Sequence, residues 1–242
     1  MRSKRLTVWG SLIVAVVLLL SGGPATAHGF RPAAGNVGGA SVGAQAVLYD
    51  QLTLGAPNGA ASQNFETSLN TFDIQVADDF TIPAGAFFWL VTQIEIDGFY
   101  ETCANQASSV NVFFNNSAGT LPGTSLYQGA FVPTAASLLS GDFVINLNPA
   151  PGLVAGRSYW LSVQANLDAG AQSCQWRWGM RSPISGNTAA LVNLGDGWFY
   201  GCTVWKPLPI CTGDNVDVQF RLNGSQINIV STVYLPLISR NP

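Results

Sequence analysis

Between Gln45 and Gly224 the chain is a succession of short stretches in which apolar and polar residues alternate, each cut off by glycine, proline, asparagine or serine. No helical period follows Leu20. Alternation with a period of two marks a half-buried strand, and closely spaced breakers of this kind are turn chemistry. The pattern predicts an all-β chain: an antiparallel β-sandwich, jelly-roll-like, of roughly eight to ten strands. An immunoglobulin-like sandwich fits less well, because the chain is far longer than the ~100 residues usual for that fold.

The stretch from Val76 to Gly85, VADDFTIPAG, sets the sharpest problem. On a strand Val76, Asp78, Phe80 and Ile82 share one face, and Ala77, Asp79 and Thr81 share the other. One aspartate therefore lies among apolar residues. A buried carboxylate is costly unless partnered, so Asp78 accepts backbone hydrogen bonds, sits on a β-bulge, binds a cation, or lies on a face that is not core. Two later stretches alternate as clearly. Val91 to Phe99 predicts a solvated face carrying Gln93, Glu95 and Asp97. Val216 to Gly224 places Val216, Val218, Phe220 and Leu222 inward and Asp217, Gln219 and Arg221 outward.

The first 27 residues read as a signal peptide: Arg2, Lys4 and Arg5, then an apolar run from Leu6 to Leu20, then Ala25 and Ala27 as a small-residue cleavage site. Residues 28–44 are a Gly- and Ala-rich entry segment, residues 45–225 the sandwich, and residues 226–242 a tail whose apolar run is interrupted by Pro236 and too short to span a membrane.

Export places the cysteines in an oxidising compartment, so Cys103, Cys174, Cys202 and Cys211 are expected as two disulfides. Three pairings are possible; Cys103–Cys174 and Cys202–Cys211 are favoured. The spacing contains no C-x-x-C pair for a zinc site. The chain carries 10 basic and 13 acidic side chains, and removal of the leader strips Arg2, Lys4 and Arg5 from the basic side. Such an acidic balance argues against nucleic acid or an anionic membrane as partner.

The motifs VADDFTIPAG, TQIEIDGFY, VNVFFNNSAGTLPGTSLY, LVAGRSYWLSVQA and DVQFRLNG, in that order, resemble a broad group of bacterial exported β-sandwich domains. The resemblance runs from about Val47 to Gly224. It implies a jelly-roll-like fold and an extracytoplasmic location, and it brings no established active site. The tail VYLPLISRNP is similar to a short YLPL-x-x-R-N ending of exported bacterial proteins, which implies a sorting or surface-retention signal.

His28 is the one histidine, so a Ser-His-Asp triad cannot be assembled, and a terminal-histidine copper site lacks its second histidine. Carboxylates for glycoside hydrolysis exist in Asp78, Asp79, Glu95, Asp97 and Glu101, but adjacent acids on a strand face opposite ways. The expectation is therefore a secreted or cell-surface module, structural or adhesive, with no identifiable catalytic site. Two binding chemistries stay open. Trp176, Trp178, Trp198, Tyr200 and Trp205, with Phe199 beside them, suit the flat faces of a glycan or another cell-surface component. Asp196, Asp214 and Asp217, or the Asp78–Asp79 pair, carry the hard oxygen ligands that calcium requires, and no other cofactor is expected.

Overall fold

The computed structural model describes residues 45–53, 58–103, 105–170 and 173–229. The expected leader, the entry segment through residue 44 and the tail from residue 230 lie outside the described residues. In chain order the strands are β1 (Ala46–Asp50), β2 (Gly59–Ala61), β3 (Gln63–Asn64), β4 (Gln75–Thr81), β5 (Phe87–Ile96), β6 (Gly98–Glu101), β7 (Ser109–Ala118), β8 (Leu121–Phe131), β9 (Phe143–Asn146), β10 (Gly152–Val154), β11 (Ser158–Asn166), β12 (Gln175–Arg181), β13 (Ala190–Val192), β14 (Lys206–Pro207), β15 (Asp217–Val218) and β16 (Phe220–Asn228). They exceed the expected number because period-two alternation reveals only the long strands. β3, β14 and β15 are two residues each, too short to carry a pattern.

Three sheets result. One has the order β1-β16-β5-β10 with β9 also on β5; a second runs β14-β13-β4-β11-β7-β8 with β3 on β11; a third runs β15-β12-β2 with β6 on β12. Among the described residues every ladder is antiparallel except β3 with β11. The first two sheets face each other across Phe80 of β4. Its ring meets Phe114 of β7 at 6.2 Å and Tyr159 of β11 at 5.9 Å on its own sheet, and Trp89 of β5 at 6.5 Å and Phe220 of β16 at 6.1 Å on the other. Aromatic side chains from both inner faces interdigitate, which is the packing of a β-sandwich.

The alternation along β5 changes phase within the strand. Trp89 and Val91 are buried, and so are Ile94 and Ile96, which a strict period of two would put on the opposite face. The ladder with β16 shows why: Asn223 pairs with Gln93 and Gly224 with Val91, so Thr92 is an extra residue, a β-bulge that resets the alternation. Gly224 faces that bulge so closely that an added Cβ would lie 2.0 Å from the Leu90 carbonyl oxygen. Only glycine fits there.

Val216–Leu222 departs from expectation for a related reason. Asp217 and Val218 pair with β12, while Phe220 onward pairs with β5, so the chain passes from one sheet to another at Gln219. Asp217 and Gln219 are buried rather than outward. Neighbouring backbone partners both: Asp217 Oδ2 accepts the Ser185 N–H at 2.6 Å, and Gln219 donates through Nε2 to the Met180 carbonyl at 3.1 Å and accepts the Thr53 N–H at 2.5 Å.

Candidate functional site

Asp78 and Asp79 take opposite faces of β4, as their adjacency requires, and both are buried. The ladder of β4 with β11 is regular from Thr81 to Ala77, so no bulge re-aims Asp78. Its Oδ2 accepts the Val218 N–H at 2.9 Å and Gln51 Nε2 at 2.8 Å, and its Oδ1 accepts the Asp79 N–H at 2.8 Å. Asp79 is held separately, by the Asn187 N–H at 2.8 Å and Asn187 Nδ2 at 2.9 Å. Carboxylates on opposite faces of a sheet cannot chelate one ion together, so the Asp78–Asp79 calcium pair does not form as a shared site.

The structure instead brings Asp217 into the Asp78 network. Asp217 Oδ2 accepts the Ser185 N–H at 2.6 Å and lies 3.6 Å from Arg181 Nη1, while Asp217 Oδ1 and Arg181 Nε have no partner among the described residues. Tyr49 donates its hydroxyl to Gln51 Oε1 at 2.9 Å. Burial holds the Asp78 carboxyl well above the usual carboxylate range, and the nearby Asp217 adds to this. Burial likewise raises Asp217 to about 6 against the pull of the Ser185 N–H and Arg181. Tyr49 is pushed up to about 12, by burial first and then by Asp78.

The other calcium candidates are dispersed. Asp196 Oδ1 caps its own turn by accepting the Gly201 N–H at 2.8 Å, and Asp214 Oδ2 accepts the Thr212 hydroxyl at 2.8 Å. Among the described residues no group of three or more His, Cys, Asp or Glu is arranged to hold a metal ion.

The aromatic candidates divide three ways. Trp176 and Trp178 do point the same way along β12, but into the core, both at 0% exposure. Trp176 stacks 4.7 Å from Phe143 and donates its indole N–H to the Gly141 carbonyl at 2.8 Å; Trp178 donates to the Gln219 carbonyl at 2.7 Å. They cannot offer a surface platform. Alternation identifies which residues share a face, and this face packs against Phe143 of β9 and Phe220 of β16 in the first sheet. Trp205 is half-buried against Trp160, Ala77 and Ala190 on the outer side of the seven-stranded sheet.

Trp198 and Tyr200 remain, with ring centroids 6.4 Å apart and planes inclined by 13°. The loop that carries them is built from Asn193, which is fully buried. Its Nδ2 donates to the carbonyls of Thr71 at 2.9 Å and Asp73 at 2.8 Å, and its Oδ1 accepts the Trp198 N–H at 3.2 Å. Gly195 and Gly197 lie directly on Thr71, where any Cβ would come within 2.7 Å of it. Trp198 Nε1 donates to the Phe72 carbonyl at 2.7 Å, and its ring meets Phe72 edge-on at 5.7 Å. One side of the pair is thus anchored. Beyond it opens a cleft of about 340 Å3 whose lining includes Trp198, Tyr200, Gln175, Arg177, Thr212 and Asp214. Arg177 pairs with Glu101 and donates to Gln175 Oε1 at 3.0 Å.

Both disulfides form as favoured. Cys103 and Cys174 have Cα atoms 4.5 Å apart, and Cys202 and Cys211 have theirs 6.0 Å apart. The second closes residues 203–210, and the segment from Asn193 to Cys211 presents Leu194, Phe199, Tyr200, Val204 and Ile210 to solvent, Phe199 at 88% exposure and with φ of 57°. Sequence reasoning missed Arg177 and Gln175 as neighbours of the aromatic pair. They alternate with Trp176 and Trp178 on β12, and that parity was the available signal.

No family model matches the chain, and no curated protein matches it. Among solved structures it is similar to the cysteine protease and lectin-like domains of Cwp84, a surface layer associated protein of Clostridium difficile, at 11% sequence identity and a TM-score of 0.41. The match covers 63% of this chain and 32% of that one, so this chain spans about a third of its neighbour's length. Chains so distant need share no ligand or activity.

Proposed function

We propose that the chain is an exported, non-catalytic β-sandwich module that adheres to a cell-surface component. The observation that carries this reading is the cross-linked segment from Asn193 to Cys211. Scattered apolar residues on a surface are ordinary, but Leu194, Phe199, Val204 and Ile210 are all exposed along one short stretch of chain, held at one end by the buried Asn193 and at the other by the Cys202–Cys211 disulfide. A rigid support lowers the ordering cost of binding. Two formed disulfides agree with an oxidising, extracytoplasmic location. Retention of the purified protein on immobilised bacterial cell envelopes tests the reading: wild type is retained, and Phe199→Ser/Ile210→Ser is not.

A carbohydrate-binding module is the second reading, favoured by the near-parallel Trp198–Tyr200 pair beside a cleft whose mixed lining includes the polar Gln175, Arg177, Thr212 and Asp214. Aromatic faces accept the C–H faces of sugar rings while polar groups orient the hydroxyls. A glycan array, run with and without calcium, tests it. Signal that Tyr200→Ala abolishes supports a glycan, and dependence on calcium would revive a cation at this surface.

A further inference from the structure

A second cleft lies where β3, β11 and β7 run side by side. Asn166 of β11 pairs with Asn64 of β3 and with Ser109 of β7, and Gln164 pairs with Asn111. That register lines up amide side chains across three neighbouring strands. Asn64 Nδ2 donates to Asn166 Oδ1 at 2.9 Å; Asn166 Nδ2 donates to Ser109 Oγ at 2.8 Å and to Asn111 Oδ1 at 3.0 Å; Asn111 Nδ2 donates back to Asn166 Oδ1 at 3.0 Å. Both amide hydrogens of Asn166 are used, so its plane is fixed.

A cleft of about 500 Å3 is walled by this ladder, through Asn64 and Asn166, and by the exposed Asn105, Gln106, Ser108 and Asp168. That volume is within the ~300–1,000 Å3 range of small-ligand sites. The two apolar residues in its lining, Phe65 and Leu167, are buried members of the core, so the wall that a ligand meets is polar. The rim from Asn105 to Ser108 is anchored on both sides. The Cys103–Cys174 disulfide precedes it, and the Ala107 N–H donates to the Tyr100 hydroxyl at 3.0 Å while the Ser108 N–H donates to the Asn166 carbonyl at 2.9 Å.

Chemistry narrows the ligand. No lysine or arginine lines the cleft and one carboxylate does, which disfavours an anion. An apolar ligand would leave desolvated amides unpaired, at a cost. The Asn166 amide is saturated within the ladder, while the exposed amides of Asn105 and Gln106 and the remaining hydrogen and oxygen of the Asn64 amide face the cleft with both donor and acceptor, which matches a molecule whose own groups do both. We infer that this amide cleft is a binding site for a neutral saccharide. The inference does not depend on the aromatic cleft.

The experiment is a titration of the isotopically labelled protein with neutral glucan, xylan and mannan oligosaccharides, with a polyuronate as the charged control, read by NMR. One neutral oligosaccharide is expected to shift the side-chain amide signals of Asn64, Asn105, Gln106 and Asn166. Asn105→Ala/Gln106→Ala, which alters exposed side chains only, is expected to weaken its affinity by about tenfold with an unchanged melting temperature. Failure of every neutral oligosaccharide to move those signals overturns the inference, as does preference for the polyuronate. Binding that survives Asn105→Ala/Gln106→Ala and is lost in Tyr200→Ala also overturns it, while leaving the aromatic reading standing.

Discussion

Gln51 Nε2 donates to Asp78 Oδ2 at 2.8 Å across 27 positions of sequence, and the same nitrogen donates to the Val218 carbonyl at 2.6 Å. One amide thus joins the segment after β1, the inner face of β4 and the sheet crossing at β15. The carboxylate in the apolar face of VADDFTIPAG is the acceptor at the centre of that junction. Asp78→Ala removes it and strands three buried N–H donors, those of Gln51, Val218 and Asp79. Destabilisation of about 3 kcal/mol or more is expected in urea unfolding, since each unpaired buried donor costs about 1–3 kcal/mol.

The pH dependence follows from Asp217. Its pKa in the folded protein is raised to about 6 from the ordinary 3.8, so between those values the native state holds a proton that the unfolded chain has released. Stability from this group is full below the unfolded value and is lost as pH rises through about 6. Asp78, shifted in the same direction, adds to the trend. Melting temperature is therefore expected to fall from pH 4 to pH 7 by more in wild type than in Asp217→Asn, whose amide carbonyl can still accept the Ser185 N–H. Equal slopes would contradict the assignment.

The disulfides should contribute unequally. Cys103–Cys174 spans 71 positions and Cys202–Cys211 spans 9. By loop-closure entropy, serine replacement of the first pair is expected to cost about 4 kcal/mol and of the second about 3 kcal/mol, measured as the loss of unfolding free energy.

The bulge at Thr92 predicts an intolerant glycine. Gly224→Ala forces a Cβ to within 2.0 Å of the Leu90 carbonyl oxygen, backbone that cannot rotate away. A loss of about 2 kcal/mol or more is expected, in the range of overpacking changes, although alanine is barely larger. A melting temperature equal to wild type would contradict the bulge.

What the sequence made legible was local. Alternation identified β4, β5 and β16, and the cysteines, with the expected export, favoured the two pairings that form. The failures came where a strand changed its partner or its phase: Thr92 inverts the alternation of β5, and Gln219 marks the crossing that turns Asp217 inward. Neither leaves a trace in composition. Trp176 and Trp178 show the same limit from another side, because period-two parity placed them together but said nothing of the strands that cover them. Gln51 and Arg181 were illegible as partners of the buried acids, since they reach the network from positions distant in the chain.

On the proposed function, the cross-linked Asn193–Cys211 segment is the adhesive surface. Retention on bacterial cell envelopes, measured side by side for wild type, Phe199→Ser/Ile210→Ser and Cys202→Ser/Cys211→Ser with folding checked for each, tests it most directly. Strong retention of wild type, lost in the first variant and weakened in the second, is the predicted result. Retention that is the same in all three proteins, or absent from folded wild type, would contradict it.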